Sequence, residues 1–132
     1  MREILFRGKT ESGKFTEGYY LETMRYNNLH WIWNGKEHIK VAPKTVGQFT
    51  GLTDKNGKKI FEGDIGRYKQ TDGAKLSGKP ITCIGKVVYN TKTASFAVDS
   101  KDELGAKNYD YFPIKDFEVI GNIHDNPELL EV

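Results

Sequence analysis

Three histidines, one cysteine and a close pair of carboxylates are the side chains of this sequence most suited to chemistry. His30 and His38 flank Asn34-Gly35 at four residues each. A hairpin symmetric about that pair would set them across from one another, where two imidazoles and a carboxylate could ligate a transition metal and serve a metal-dependent enzyme. The adjacent acid, Glu37, would point to the opposite face from His38, because side chains alternate along a strand. Two partly exposed hairpin side chains are the simpler reading, and neither a metal nor another cofactor is expected. Glu62-Gly63-Asp64 could divide acid and base roles in a hydrolysis. No third catalytic group stands near it in sequence, and it reads as a glycine bend with Asp64 accepting from nearby amides. Asp54-Lys55-Asn56-Gly57 opens like a calcium loop, but the fifth and twelfth positions are Lys58 and Ile65, where acids are required. Asn56-Gly57 reads instead as a type I′ turn with two positive φ angles. Cys83, within Ile81-Thr82-Cys83-Ile84, reads as a buried, inert thiol. No catalytic residues are expected from these groups.

A second constellation concerns binding. Tyr19, Tyr20, Tyr26, Trp31 and Trp33 gather in the first third of the chain beside Arg25, Lys36 and Lys40. Aromatic rings among cations on a β-surface can stack bases and hold phosphates. Alternation puts Trp31 and Trp33 on one side of their strand, most simply a core or a subunit interface. Lys58 and Lys59 extend the set of candidate contact residues into the middle of the chain.

The elements that must position these residues are short strands. Leu29-His30-Trp31-Ile32-Trp33 and His38-Ile39-Lys40-Val41-Ala42 bracket Asn34-Gly35, a strong hairpin signal, and Pro43 ends the second strand. Gly18 interrupts the alternation of Phe15, Tyr19 and Leu21. Ile81 to Tyr89 is the longest β-branched run, with Ser95 to Val98 pairing back. Residues 70–80 read as a long surface loop, and residues 100–108 as a second loop or a short helix. Asn126-Pro127 begins a helical turn with too little chain left to extend it. Eight to ten strands separated by turn chemistry indicate an antiparallel all-β barrel or sandwich.

Composition narrows the classes further. The 132 residues, 37% hydrophobic, suffice for one compact domain or two small lobes. No apolar run approaches the roughly 20 residues of a membrane-spanning helix, and the N-terminus has no secretory character. With Cys83 the only cysteine, no internal disulfide can form, and a cytoplasmic setting is expected. The net charge of +2 conceals an asymmetry. Residues 36–100 carry twelve Lys/Arg against six acids, and residues 101–132 carry three Lys against eight acids. A basic middle admits an anionic partner such as nucleic acid, or head-to-tail attraction between subunits.

The stretch Gln48-Phe49-Thr50-Gly51-Leu52-Thr53-Asp54-Lys55-Asn56-Gly57-Lys58-Lys59-Ile60-Phe61-Glu62-Gly63-Asp64-Ile65 resembles the signature of the YopX family. Residues Phe117 to Leu130 resemble that family's ending, and Ile4-Leu5-Phe6-Arg7-Gly8-Lys9 its start. The resemblance implies a protein encoded by a phage or prophage, with a small SH3-like barrel in its C-terminal part and a tendency to oligomerise. It implies no enzymatic activity and supplies no functional residue to carry over. The expected division is an N-terminal β-region over residues 1–60, ending in the signature hairpin, and a barrel over residues 61–132. The expected role is a non-enzymatic accessory protein acting through protein–protein binding and self-association, in the host cytoplasm, with nucleic-acid binding by residues 36–100 as the alternative.

Overall fold

Alternating apolar and polar residues resolve into eleven strands in the structure, a computed structural model that describes residues 3–23, 29–70 and 79–131. The strands are β1 (Phe6–Lys9), β2 (Phe15–Thr23), β3 (Leu29–Trp33), β4 (His38–Val41), β5 (Gly47–Thr53) and β6 (Lys59–Phe61). They continue with β7 (Asp64–Gln70), β8 (Ile81–Asn90), β9 (Ser95–Asp102), β10 (Lys107–Tyr111) and β11 (Glu118–Asn122). Two short 3₁₀ turns, Pro43–Thr45 and Pro127–Leu130, are the helical content of the described residues. The strands form two antiparallel sheets, in the orders β4-β3-β2-β1-β5-β6 and β10-β9-β8-β7-β11. The all-β expectation therefore holds. Among the described residues no closed barrel forms: the second sheet has β10 and β11 as its two edges.

The chain divides into two units, Met1–Gly51 and Leu52–Val132, so the signature hairpin opens the second unit. In the first unit, β3 turns its core residue inward between its two tryptophans. Ile32 is fully buried, and Val41 from β4 shares its face. A side chain at Gly8 of β1 would press within 2.9 Å of the Val41 Cβ, so the glycine lets the two backbones approach.

In the second unit, β8 alternates strictly. Cys83, Gly85 and Val87 face inward, while Ile84, Lys86 and Val88 face outward. Cys83 and Val87 join Ile60, Tyr68, Val98 and Phe117 in the core, flanked by Phe96, Phe112, Ile114 and Val119. The Phe117 ring lies over the backbone of Gly66, edge to face with Phe112 at 5.1 Å and tilted against Tyr68 at 6.0 Å between centroids. Only a residue without a Cβ leaves room for it. Residues 100–108 are not a loop or helix: β9 runs on to Asp102, turns, and returns as β10. Their polarity is that of an edge strand with one solvated face. The expected loop at residues 70–80 lies mostly outside the described residues.

The signature hairpin is held by one carboxylate. Asp54 is 8% exposed, and its Oδ1 accepts from the amides of Asn56 and Lys58 at 2.9 Å each. Its Oδ2 accepts from the Val119 amide of β11, also at 2.9 Å. The Lys55 amide adds a bond to the Phe117 carbonyl at 3.0 Å. Burial alone would push the Asp54 carboxyl up, but the bonds from Val119, Lys58 and Asn56 outweigh it and hold the pKa below its ordinary value. The turn is not type I′, because Gly57 (φ +81°) has positive φ and Asn56 does not. The Asp54 side chain organises the loop instead, leaving one left-handed position for the glycine. Gly63 (φ +92°) makes the bend into β7, and Asp64, 1% exposed, accepts from the Phe61 amide at 2.8 Å. At the C-terminus Asn126 precedes the Pro127–Leu130 turn without capping it, since its Oδ1 reaches back to the Asn122 amide at 3.2 Å.

Candidate functional site

Register in the first unit decides which side chains share a surface. Tyr19 of β2, Trp33 of β3 and His38 of β4 stand in one cross-strand row. Leu21, Trp31 and Lys40 form the next row on the same face. On β1 and β2, Lys9 stands across from Phe15, and Arg7 across from Glu17, again on that face. The result is a sheet surface of four aromatic rings, an aliphatic side chain, three cations, one histidine and one acid.

Packing differentiates its members. Tyr19 is 66% exposed, whereas Trp31 and Trp33 are half-buried, each flanking the inward-facing Ile32. The Trp33 and His38 rings meet at 4.7 Å between centroids. The Arg7 guanidinium lies 4.3 Å over the Phe15 ring and the Lys9 ammonium 5.4 Å from it, an arrangement that holds two cations against apolar surface. Beside this face opens a cleft of about 520 Å³, lined among others by Lys9, Thr10, Ser12, Lys40, Val41 and Pro43. Lys9 and Lys40 thus belong both to the cleft wall and to the aromatic face.

The metal reading of this hairpin fails on register. The loop runs from Asn34 to Glu37, so His30 pairs with Val41 and His38 with Trp33. The observed hairpin is centred between Gly35 and Lys36, not on Asn34, because its loop also includes Lys36 and Glu37. Asn34 Oδ1 accepts from both their amides at 2.9 Å, and Gly35 (φ +95°) supplies the left-handed corner. Alternation then puts the histidines on opposite faces, and they cannot share a metal ion. His30 sits on the Ile32 side, stacked on Tyr20 with an interplanar angle of 7° and its Nδ1 at 2.5 Å from the Tyr20 hydroxyl. Burial, then the charge of Glu22, pushes that phenol up.

The remaining candidate residues are dispersed. Trp31, Trp33 and Lys40 come together on the face, and Lys36 lies exposed at the hairpin tip. Lys58 and Lys59 are exposed on the signature hairpin of the other unit. Arg25 lies outside the described residues. Two members of the surface, His38 and Arg7, carry packing that a linear reading missed. His38 could have been found from the length of the loop, Arg7 from its opposition to Glu17.

The polar groups of the second unit's interior serve the fold. The Tyr68 hydroxyl contacts Ser100 Oγ at 2.8 Å and donates to Asp110 Oδ2 at 2.5 Å, while Gln70 Nε2 donates to Asp110 Oδ1 at 2.6 Å. Burial and then the bond to Asp110 push the Tyr68 phenol far up, and burial does the same to the fully buried Cys83 thiol. A thiol in that state is a poor nucleophile.

A solved structure, protein EF1440 from Enterococcus faecalis, has a similar fold, with a TM-score of 0.50 and 23% identity. The likeness covers 98% of this chain and 99% of that one. None of the curated proteins matches the sequence. The model of the family described as YopX protein matches residues 5–131, nearly the whole sequence and all eleven strands, so the chain belongs to the YopX family.

Proposed function

We propose that this chain is a phage- or prophage-encoded accessory protein that acts in the bacterial cytoplasm by binding proteins, including copies of itself, and not by catalysis. The observation that carries this reading is the aromatic face of the first unit. Two adjacent cross-strand rows, Tyr19-Trp33-His38 and Leu21-Trp31-Lys40, present large rings on the side of β3 that Ile32 does not use. Trp and Tyr dominate interface hot spots because they bury much area at small conformational cost, and Arg or Lys at the border fixes orientation. Glu17, Lys9 and Lys40 supply both charge signs around the rings, while Arg7, 8% exposed, is packed against Phe15. That mixture suits a protein surface better than a polyanion.

Light scattering of the wild-type chain and of the Trp31→Ala/Trp33→Ala double variant tests the reading. The wild type is expected to associate and the variant to shift towards monomer, with a loss of affinity of about thirty-fold or more from removal of hot-spot rings. The fold should survive, because the core residue of β3 is Ile32. A wild type that stays strictly monomeric at high concentration removes the self-association claim.

A further inference from the structure

The outward face of the second sheet carries a surface that the charge balance of the sequence conceals. The acidic excess of residues 101–132 includes Lys101 and Lys107, and the register sets these two directly across from each other on β9 and β10. The row continues through Ile84 to Arg67, so three of its four positions on β7 to β10 are cationic. Lys86 projects from the neighbouring row. Lys86, Lys101 and Lys107 line a depression of about 210 Å³ together with Ile84, Asp99, Ser100 and Leu130. The acids of this face include Asp99, across from Lys86, Glu118, which binds Arg67, and Glu103, two residues beyond Lys101, whose carboxylate accepts from the Thr82 amide at 3.2 Å. Lys101 and Lys107 are therefore like charges held in opposition, an arrangement unfavourable to the isolated sheet and favourable once an anion lies between them.

The same face carries exposed rings. Tyr109 and Tyr111 alternate with Asn108 and Asp110 on β10, are 44% and 45% exposed, and meet edge to face at 5.4 Å. The face thus presents Lys107, Tyr109 and Tyr111 in sequence along one edge strand, with Lys101 and Lys86 inboard. We infer that this face binds single-stranded nucleic acid, with phosphates held by Lys86, Lys101 and Lys107 and bases stacked on Tyr109 and Tyr111. Rings standing clear of a basic surface need an aromatic face to cover them, and an unpaired strand offers such faces where a duplex does not.

The test is fluorescence anisotropy of labelled oligothymidylate and oligouridylate with the full chain, over about 50 to 200 mM salt. Binding is expected to weaken with salt, and Lys101→Gln/Lys107→Gln should lower the logarithmic slope by about 0.7 per lysine. Tyr109→Ala should weaken binding roughly ten-fold, with the slope unchanged. Lys58→Gln/Lys59→Gln, on the signature hairpin, should bind like the wild type. Circular dichroism should show all three variants folded, with Lys101→Gln/Lys107→Gln no less stable than wild type. Absence of binding at low salt, equal binding of duplex DNA, or an equal loss in the Lys58/Lys59 variant would each overturn the inference. Because none of these residues lies on the aromatic face of the first unit, its outcome is independent of the association measured there.

Discussion

Asp54→Ala isolates the contact that ties the family's signature hairpin to the last strand. The substitution removes three amide-to-carboxylate bonds. Asn56 and Lys58 are exposed, so their amides regain water, while the Val119 amide is partly buried and loses a charge-assisted bond outright. Counting about 0.5 kcal/mol for each of the first two and about 2 for the third gives a loss of about 3 kcal/mol. For a unit of this size that corresponds to a fall of roughly 12 to 24 °C in melting temperature. Asp54→Asn keeps one acceptor oxygen and should lose about half as much. The lowered folded pKa of Asp54 fixes the pH dependence. A carboxyl whose pKa falls on folding contributes fully above its unfolded value of about 3.9, and that contribution is lost as pH drops through the folded value. Urea unfolding at neutral pH and at decreasing pH measures this directly. The gap between wild type and Asp54→Ala should be widest near neutrality and should close in acid. A gap under about 0.5 kcal/mol at pH 7, or one that widens in acid, refutes the assigned role of Asp54.

Two further perturbations probe the second core. Gly66→Ala should destabilise the unit by about 3 kcal/mol or more, because the new Cβ overlaps the Phe117 ring; a melting temperature like that of the wild type would show that the ring has another place to go. Cys83, fully buried and with its thiol pKa raised, should stay unreactive to a disulfide reagent in the native protein and react once unfolded; a rapid native reaction would contradict its place in the core.

Strand content and turn positions were legible in the sequence because alternation and Asn-Gly or Gly-Asp pairs are local. The bend at Gly63-Asp64 was readable from local residue types, although the Gly63 backbone also bonds to Val87 and Ile123. Register was harder to read, since the four-residue loop 34–37 centres the hairpin between Gly35 and Lys36, which sets His30 across from Val41 instead of His38 and changes the chemistry that hairpin could do. The open second sheet was not legible either, because closure depends on whether β10 and β11 meet, which no local pattern encodes. Asp54 looked like a turn residue, and its bond to Val119 spans 65 positions. Polarity hid β10, whose exposed Lys107, Tyr109 and Tyr111 read as loop until the pairing with β9 is known. Regional charge misled for the same reason, since Lys101 and Lys107 sit in an acidic stretch of chain but on a basic face of the fold.

The chain's two tryptophans, Trp31 and Trp33, both lie on the face assigned to association, so their fluorescence reports on that surface alone. Acrylamide quenching of the wild type, followed from dilute to concentrated protein, is the most direct measurement of the central claim. Quenching that falls as concentration rises, with a shift of emission to shorter wavelength, is the expected result. Quenching that is constant over the whole range while the protein self-associates would place the interface elsewhere and contradict it.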